Sequence, residues 1–329
     1  MAPTRLCAED YTIGWICALP LEMAAATAML DVRYQDHPPQ PSHDHNIYTL
    51  GRIGSHNVVL TCLPETGTTP AASVASRMCS TFTLIKFGLM VGVGGGVPSP
   101  AVDIRLGDVV VSMPSDTSGG VIQYDFGKTV QEGQFVRTGS LNKPPSVLRN
   151  AALSLKTKGL LNGIDLSKHI SKALMDYPSQ RTTWIYPGVE HDRLFRAEYD
   201  HQREASTCAF CDTEKLVVRP SRSDNDPRVH YGLIASGNQV MKYGDSRERL
   251  RRELNVLCFE MEAAGLMDDF PCLVIRGICD YADSHKNKDW QPYAAITAAA
   301  YAKEILLIIP TAKVVETDAA KNAIDNKKG

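Results

Sequence analysis

"YTIGWICALPLEMAAATAML", Tyr11 to Leu30, opens with a β-rich apolar run to Cys17, breaks at Pro20 and continues in strong helix formers to Leu30. This is a strand, a tight turn and a helix. Pro20 fits the first helical turn, where its missing N–H costs nothing. That places Glu22 about one turn into the helix, close to the carboxyl end of the strand.

The same alternation continues outward. His45 to Leu50 and Asn57 to Leu63 read as two strands joined by a glycine-containing turn. "TTPAASVASRMCSTF" follows as an Ala/Ser-rich helix, "LIKFGLMVGVGGGVPSP" as a strand running into a glycine cluster, and Asp108 to Met113 as another buried strand. Between about Gly139 and Asp226 the text turns charged and proline-containing, with helices expected at Ser146 to Leu161 and Leu166 to Tyr177. The rhythm then resumes with "VHYGLIASGNQVMK", "LRRELNVLCFEMEAAGLMDD", "PCLVIRGICDYAD" and "YAAITAAAYAKEILLII". Strands alternating with helices predict an α/β fold: a single domain with a central mixed, twisted sheet flanked by helices and a long irregular insertion. The expected organisation is an N-terminal lead over 1–10, the domain over 11–310 with its elaboration at 139–226, and a polar, frayed tail over 311–329.

At 329 residues and 43% hydrophobic content the chain can bury a sizeable core. Lys+Arg 35 against Asp+Glu 37 gives a formal net charge of −2, so neither nucleic acid nor an acidic membrane is signalled as a partner. The N-terminus has no basic start followed by an apolar core, and no later run approaches the roughly 18 apolar residues of a membrane span. A soluble, cytoplasmic protein is expected. Nine cysteines without framework-like spacing fit reduced thiols. Cys208 and Cys211 stand three apart, with His191 and His201 upstream. A zinc site requires four ligands, and the two histidines are too far apart to form a close pair, so the cysteines read first as a loop thiol pair, with zinc the minority reading.

In open α/β sheets ligands bind at the carboxyl ends of strands. Glu22, the glycines from Gly92 to Gly96, the pair Glu260 and Glu262, and Asp280 all fall there. The glycine cluster is no dinucleotide fingerprint, because G-x-G-x-x-G starting at Gly92 would put glycine where the chain has Val97, and no Gly-Lys-Ser/Thr follows for a phosphate loop. What remains is a loop open to close approach by a ligand, or a structural turn. Glu260 and Glu262 suit a helix N-terminus, but carboxylates in apolar text are expensive unless they meet donors or a cation. A sugar diol is such a donor pair. Asp280 ends a buried strand, either as a turn aspartate or as an acid toward a leaving group.

"ASGNQVMK", "CFEMEAAG" and "VIRGICDYAD", with "IGWICALPLEM" and "GVGGGVPSPAVDIRLGDVVVS", resemble the nucleoside phosphorylase superfamily, which includes purine and uridine phosphorylases and methylthioadenosine/S-adenosylhomocysteine nucleosidases. The likeness runs from about Tyr11 to Ile309. It is greatest to a fungal branch often found at the N-terminus of ankyrin or NACHT proteins, through "DYADSHKNKDWQPYAAITAAAYAKEIL". This chain shows no ankyrin repeat or nucleotide-binding loop, which favours a free-standing enzyme.

The resemblance implies that Glu262 holds the ribose 2′- and 3′-hydroxyls while Met261 packs under the sugar. It places Asp280 as the acid at purine N7, Glu260 in a supporting role and Arg276 near the reacting water. Gly94 and Gly95 fall in the substrate-binding glycine stretch, and Asn238, Gln239 and Val240 in the loop that borders the base. Phosphorylases of the bacterial type clamp phosphate with an Arg two residues before the glycine and a Ser after it, where this chain has Met90 and Val93. Glu22 aligns with the glutamate that activates water in the nucleosidases, and a carboxylate there repels phosphate. The expectation is therefore a purine nucleosidase acting on adenosine, inosine or guanosine, with Glu22 and Asp280 catalytic. Its implied partners are a small nucleoside and a second copy in a homodimer. No metal or organic cofactor is implied. The rivals are a phosphorylase drawing cations from Arg52, Arg77 or Arg105, and a module that senses a nucleoside without turnover.

Overall fold

The computed structural model describes residues 6–115, 117–202 and 207–320. Its elements, in chain order, are β1 (Ile13–Cys17), α1 (Pro20–Ala28), β2 (Val32–Tyr34), β3 (Tyr48–Ile53), β4 (His56–Cys62), α2 (Thr68–Thr81), β5 (Phe87–Gly96) and β6 (Val109–Ser112). There follow β7 (Val121–Gln123), β8 (Gly127–Thr129), β9 (Phe135–Arg137), α3 (Ser146–Asn162), α4 (Ser167–Asp176) and β10 (Val229–Ser236). The chain closes with α5 (Gly244–Leu254), β11 (Val256–Glu260), β12 (Cys272–Asp280), α6 (Gln291–Ile308) and α7 (Thr311–Val315).

Ten strands form one mixed sheet in the order β11-β10-β6-β12-β5-β1-β4-β3-β2, with β7 added beside β10. β1 runs parallel to β4 and β5, and β12 runs parallel to β5, whereas β6 is antiparallel to β12. β11 also pairs antiparallel with the end of β5, through Phe259 and Gly95 and through Cys258 and Gly96, which closes a ring of five strands. The central strands β1 and β12 are buried along their whole length; β1 is apolar throughout, while the apolar run of β12 is interrupted by Arg276 and ends on Asp280. α6 lies against β12 and β5 and is buried from Tyr293 to Leu306; its run of alanines lets the helix sit close to the sheet.

Three readings of the sequence are corrected. The glycine cluster is not a loop, because β5 continues through Gly96. The text after Glu262 forms only a single 3-10 turn, Ala263–Gly265, rather than a helix. Past Pro310 the chain is helical over Thr311–Val315, and Val314 and Ala320 are buried, so the expected fraying does not begin there; 321–329 lie outside the described residues. The elaboration joins the main apolar core through Trp184 and Leu194, and its buried Phe195 packs on His285. Arg222 donates to both oxygens of buried Asp108 at 2.7 Å, and Arg219 reaches Tyr281 Oη at 2.8 Å. No helix among the described residues is long and apolar enough to cross a membrane.

Candidate active site

Glu22 is placed by the turn between β1 and α1. Pro20 begins the helix and Leu19 caps it, so Glu22 can fold back over the turn: Oε2 accepts from Ala18 N at 2.8 Å and Leu19 N at 3.0 Å. Oε1 accepts from Val93 N of β5 at 2.8 Å. Glu22 as a whole is 3% exposed. Burial raises its pKa, and Arg276 with the three backbone donors offsets only part of that rise.

The glycines of β5 leave room for these side chains. A Cβ on Gly92 would stand 2.5 Å from Glu22 Oε1, and one on Gly95 would stand 2.9 Å from Asp280 Oδ1. Glycine weakens a strand, and here it does so where site side chains approach the backbone. Gly94, Gly95 and Val93 line the resulting cavity.

At the end of β11, Glu260 accepts from Glu262 N at 3.1 Å and Ala263 N at 3.0 Å and so holds the turn that carries Glu262. Arg276, on β12 and wholly buried, donates to Glu260 and, at 3.0 Å, to Glu262 Oε2. Burial, opposed by Arg276 and reinforced by the carboxylates of Glu260 and Glu22, pushes Glu262 up to about 7. Met261 lines the cavity beside it.

Asp280 closes β12. Its Oδ1 accepts from Ala282 N at 2.9 Å, and Ala282 takes a left-handed backbone at φ 52°, a sharp turn for a residue with a Cβ. Beyond that turn the chain comes back far enough for Lys286 Nζ to reach Asp280 Oδ2 at 2.7 Å. Burial alone would lower the Lys286 pKa, but Asp280 and Cys279 hold it above the ordinary value.

The cavity thus gathers Glu22, Glu260, Met261, Glu262, Arg276, Asp280, Gly94, Gly95 and Val240 from the ends of β1, β5, β11 and β12 and from the loop after β10. Asn238 is not in its lining: the side-chain oxygen accepts from Thr68 N at 3.0 Å and Thr68 Oγ1 at 3.1 Å and steadies the start of α2. Its neighbour Gln239 lines the cavity instead. Lys286 was missed from sequence; the only signal was a cation six residues after the aspartate.

Four carboxylates face two cations across this cavity, and each cation is already paired with a carboxylate. Such a site attracts hydroxyl donors and developing positive charge, and disfavours a free anion. Arg52 and Arg77 are not in the lining, and Arg105 pairs with Asp103 at 2.8 Å elsewhere.

A family model described as the phosphorylase superfamily matches residues 12–307. A nucleotide-binding leucine-rich repeat (NLR)-like protein of Hyaloscypha variabilis is 48% identical over 304 residues, which is 92% of this chain but 30% of that protein; the chain therefore spans under a third of that relative's length. A 5′-methylthioadenosine/S-adenosylhomocysteine nucleosidase of Mycobacterium tuberculosis is 24% identical, over 91% of this chain and 97% of the relative. Among solved structures, the 5′-methylthioadenosine/S-adenosylhomocysteine nucleosidase of Helicobacter pylori superposes with a TM-score of 0.58 at 16% identity, over 90% of this chain and 98% of that one.

Proposed function

Because the chain belongs to the phosphorylase superfamily, we propose that it hydrolyses the N-glycosidic bond of purine nucleosides, with water rather than phosphate as the nucleophile. The observation that carries this reading is the state of the cavity floor. Glu22 is fixed there by three backbone N–H groups, in a cavity whose two cations are both paired with carboxylates.

In this reaction Glu262 accepts the 2′- and 3′-hydroxyls through its two oxygens, and Arg276 and Glu260 hold it in place. Glu22, whose Oε2 is taken up by Ala18 N and Leu19 N, uses the site left on Oε1 to take a proton from water attacking the anomeric carbon. As the glycosidic bond breaks, the sugar gains oxocarbenium character, which the surrounding carboxylates stabilise electrostatically. The departing purine faces Asp280, a carboxylate that accepts from the Lys286 ammonium; the proton that N7 gains comes from that ammonium through Asp280, and the proton Glu22 takes from water replaces it through solvent once the products leave. The balance is one water consumed, one free base and one ribose released.

The name of the M. tuberculosis relative, a nucleosidase, supports hydrolysis as the reaction type. A chromatographic assay with adenosine, inosine, guanosine and uridine tests the proposal. Release of the three purines, with little from uridine, and a loss of roughly 10²–10⁴-fold in Glu22→Gln is the expected result. Unchanged turnover in Glu22→Gln would remove the base from this mechanism.

A further inference from the structure

Sequence spacing presents Cys208 and Cys211 as a loop thiol pair, but folding changes their company. His201 joins them, and one ligand atom from each of the three lies within 4.8 Å of the others. A tetrahedral zinc shell sets its ligand atoms roughly 3.3–3.8 Å apart, so small inward side-chain movements would bring these three residues to a metal, and a fourth ligand would have to turn toward them from outside the group. A second, independent observation lies alongside. His285 is 7% exposed, neither of its ring nitrogens has a hydrogen-bond partner, and its ring centroid is 5.4 Å from that of His201. A buried imidazole left without a partner costs free energy that a metal ion or a hydrogen bond would recover.

We propose that His201, Cys208, Cys211 and His285 form a structural Zn²⁺ site. The donor set is chemically complete: two thiolates neutralise the ion's charge and two neutral imidazoles complete four-fold coordination, as in closed Cys₂His₂ sites. Binding releases two thiol protons and involves no change of oxidation state. The outer shell is also present. Asp283 Oδ1 stands 3.7 Å from His285 Nδ1, where it would orient the ring with Nε2 toward the metal, and His201 Nε2 lies 3.1 Å from the Thr207 carbonyl. A cavity bordered by Thr207, Cys208, Asp283 and His285 gives the ion an entry path. The ion would join the elaboration to the loop after β12, one residue from Lys286, and so brace the contact between Lys286 and Asp280. Phe195 of the elaboration already stacks on His285, with ring centroids 4.0 Å apart.

The test uses the whole chain and does not depend on catalysis. Protein expressed with zinc is desalted and assayed for metal, and metal-free protein is titrated with Co²⁺ while absorbance is followed. About one zinc per chain is expected, with a thiolate-to-cobalt charge-transfer band and tetrahedral d–d bands that added Zn²⁺ abolishes. Cys208→Ser should lose stoichiometric zinc, and Asp283→Asn should weaken the affinity roughly 10-fold. The wild-type titration stands even if a variant folds poorly. Wild-type protein without zinc and without a charge-transfer band would overturn the proposal. So would a Cys208–Cys211 disulfide in protein isolated anaerobically.

Discussion

Glu262 is the residue whose charge state the proposed reaction depends on most. It binds a diol well only as a carboxylate, yet burial and two neighbouring carboxylates hold it up to about 7. As pH falls through 7 the group protonates, so kcat/KM should fall on the acid side of about 7, with the raised pKa of Glu22 contributing to the same limb. Glu262→Gln should remove most of that inflection and lower kcat/KM roughly 10–100-fold, through the loss of hydrogen bonds to a charged acceptor. Stability moves the opposite way. A carboxyl whose pKa rises on folding contributes stability below its ordinary value of 4.5, and this is lost as pH rises through about 7. Glu262→Gln should therefore be the more stable protein at pH 8 in urea titrations. Lys286→Met should lower kcat more than KM, because it removes half of the couple facing the leaving purine. That the four carboxylates gather in one cavity was legible in the sequence, since all of them stand at or near strand ends. Lys286 was not, because its contact depends on the left-handed turn at Ala282, which an alanine does not announce.

At the scale of elements, α6 shows how buried charge holds helices together. Glu304, near its end, accepts from His169 Nε2 of α4 at 2.7 Å, from Lys168 at 2.7 Å and from Lys158 of α3 at 3.4 Å. The His169 hydrogen bond, only partly opposed by burial, and the two lysines hold its pKa at about 2. Because that value is depressed, the contribution to stability is present above the ordinary 4.5 and is lost as pH falls toward 2. Glu304→Ala should cost about 2–4 kcal/mol in chemical denaturation at pH 7, because it leaves His169 buried without its partner. The same variant should flatten the acid limb of the stability profile. The long periodic and apolar elements were readable from sequence, including α1, α2, α3, α6, β1 and β12. The three-residue strands β2, β7, β8 and β9 were not, because so short a run carries no period of its own. The glycines of β5 suggest a loop or a turn because a strand rarely holds so many; close packing of Glu22 and Asp280 against the backbone overrides that propensity.

For the molecule as a whole, the closure of β11 onto β5 is what brings four strand ends to one cavity. The alternating text predicted the sheet and the gathering of acids at its carboxyl edge, but neither the ring nor the return of the elaboration onto the loop after β12. Both depend on contacts between segments far apart in the chain, such as Arg219 with Tyr281. The central claim is that this cavity delivers water to the anomeric carbon, and the sugar product tests it directly. The purified protein is incubated with adenosine, inosine and guanosine, with and without inorganic phosphate, and the sugar is identified by chromatography. Free ribose formed at the same rate in both conditions is the predicted result. Ribose 1-phosphate formed only when phosphate is present would contradict it.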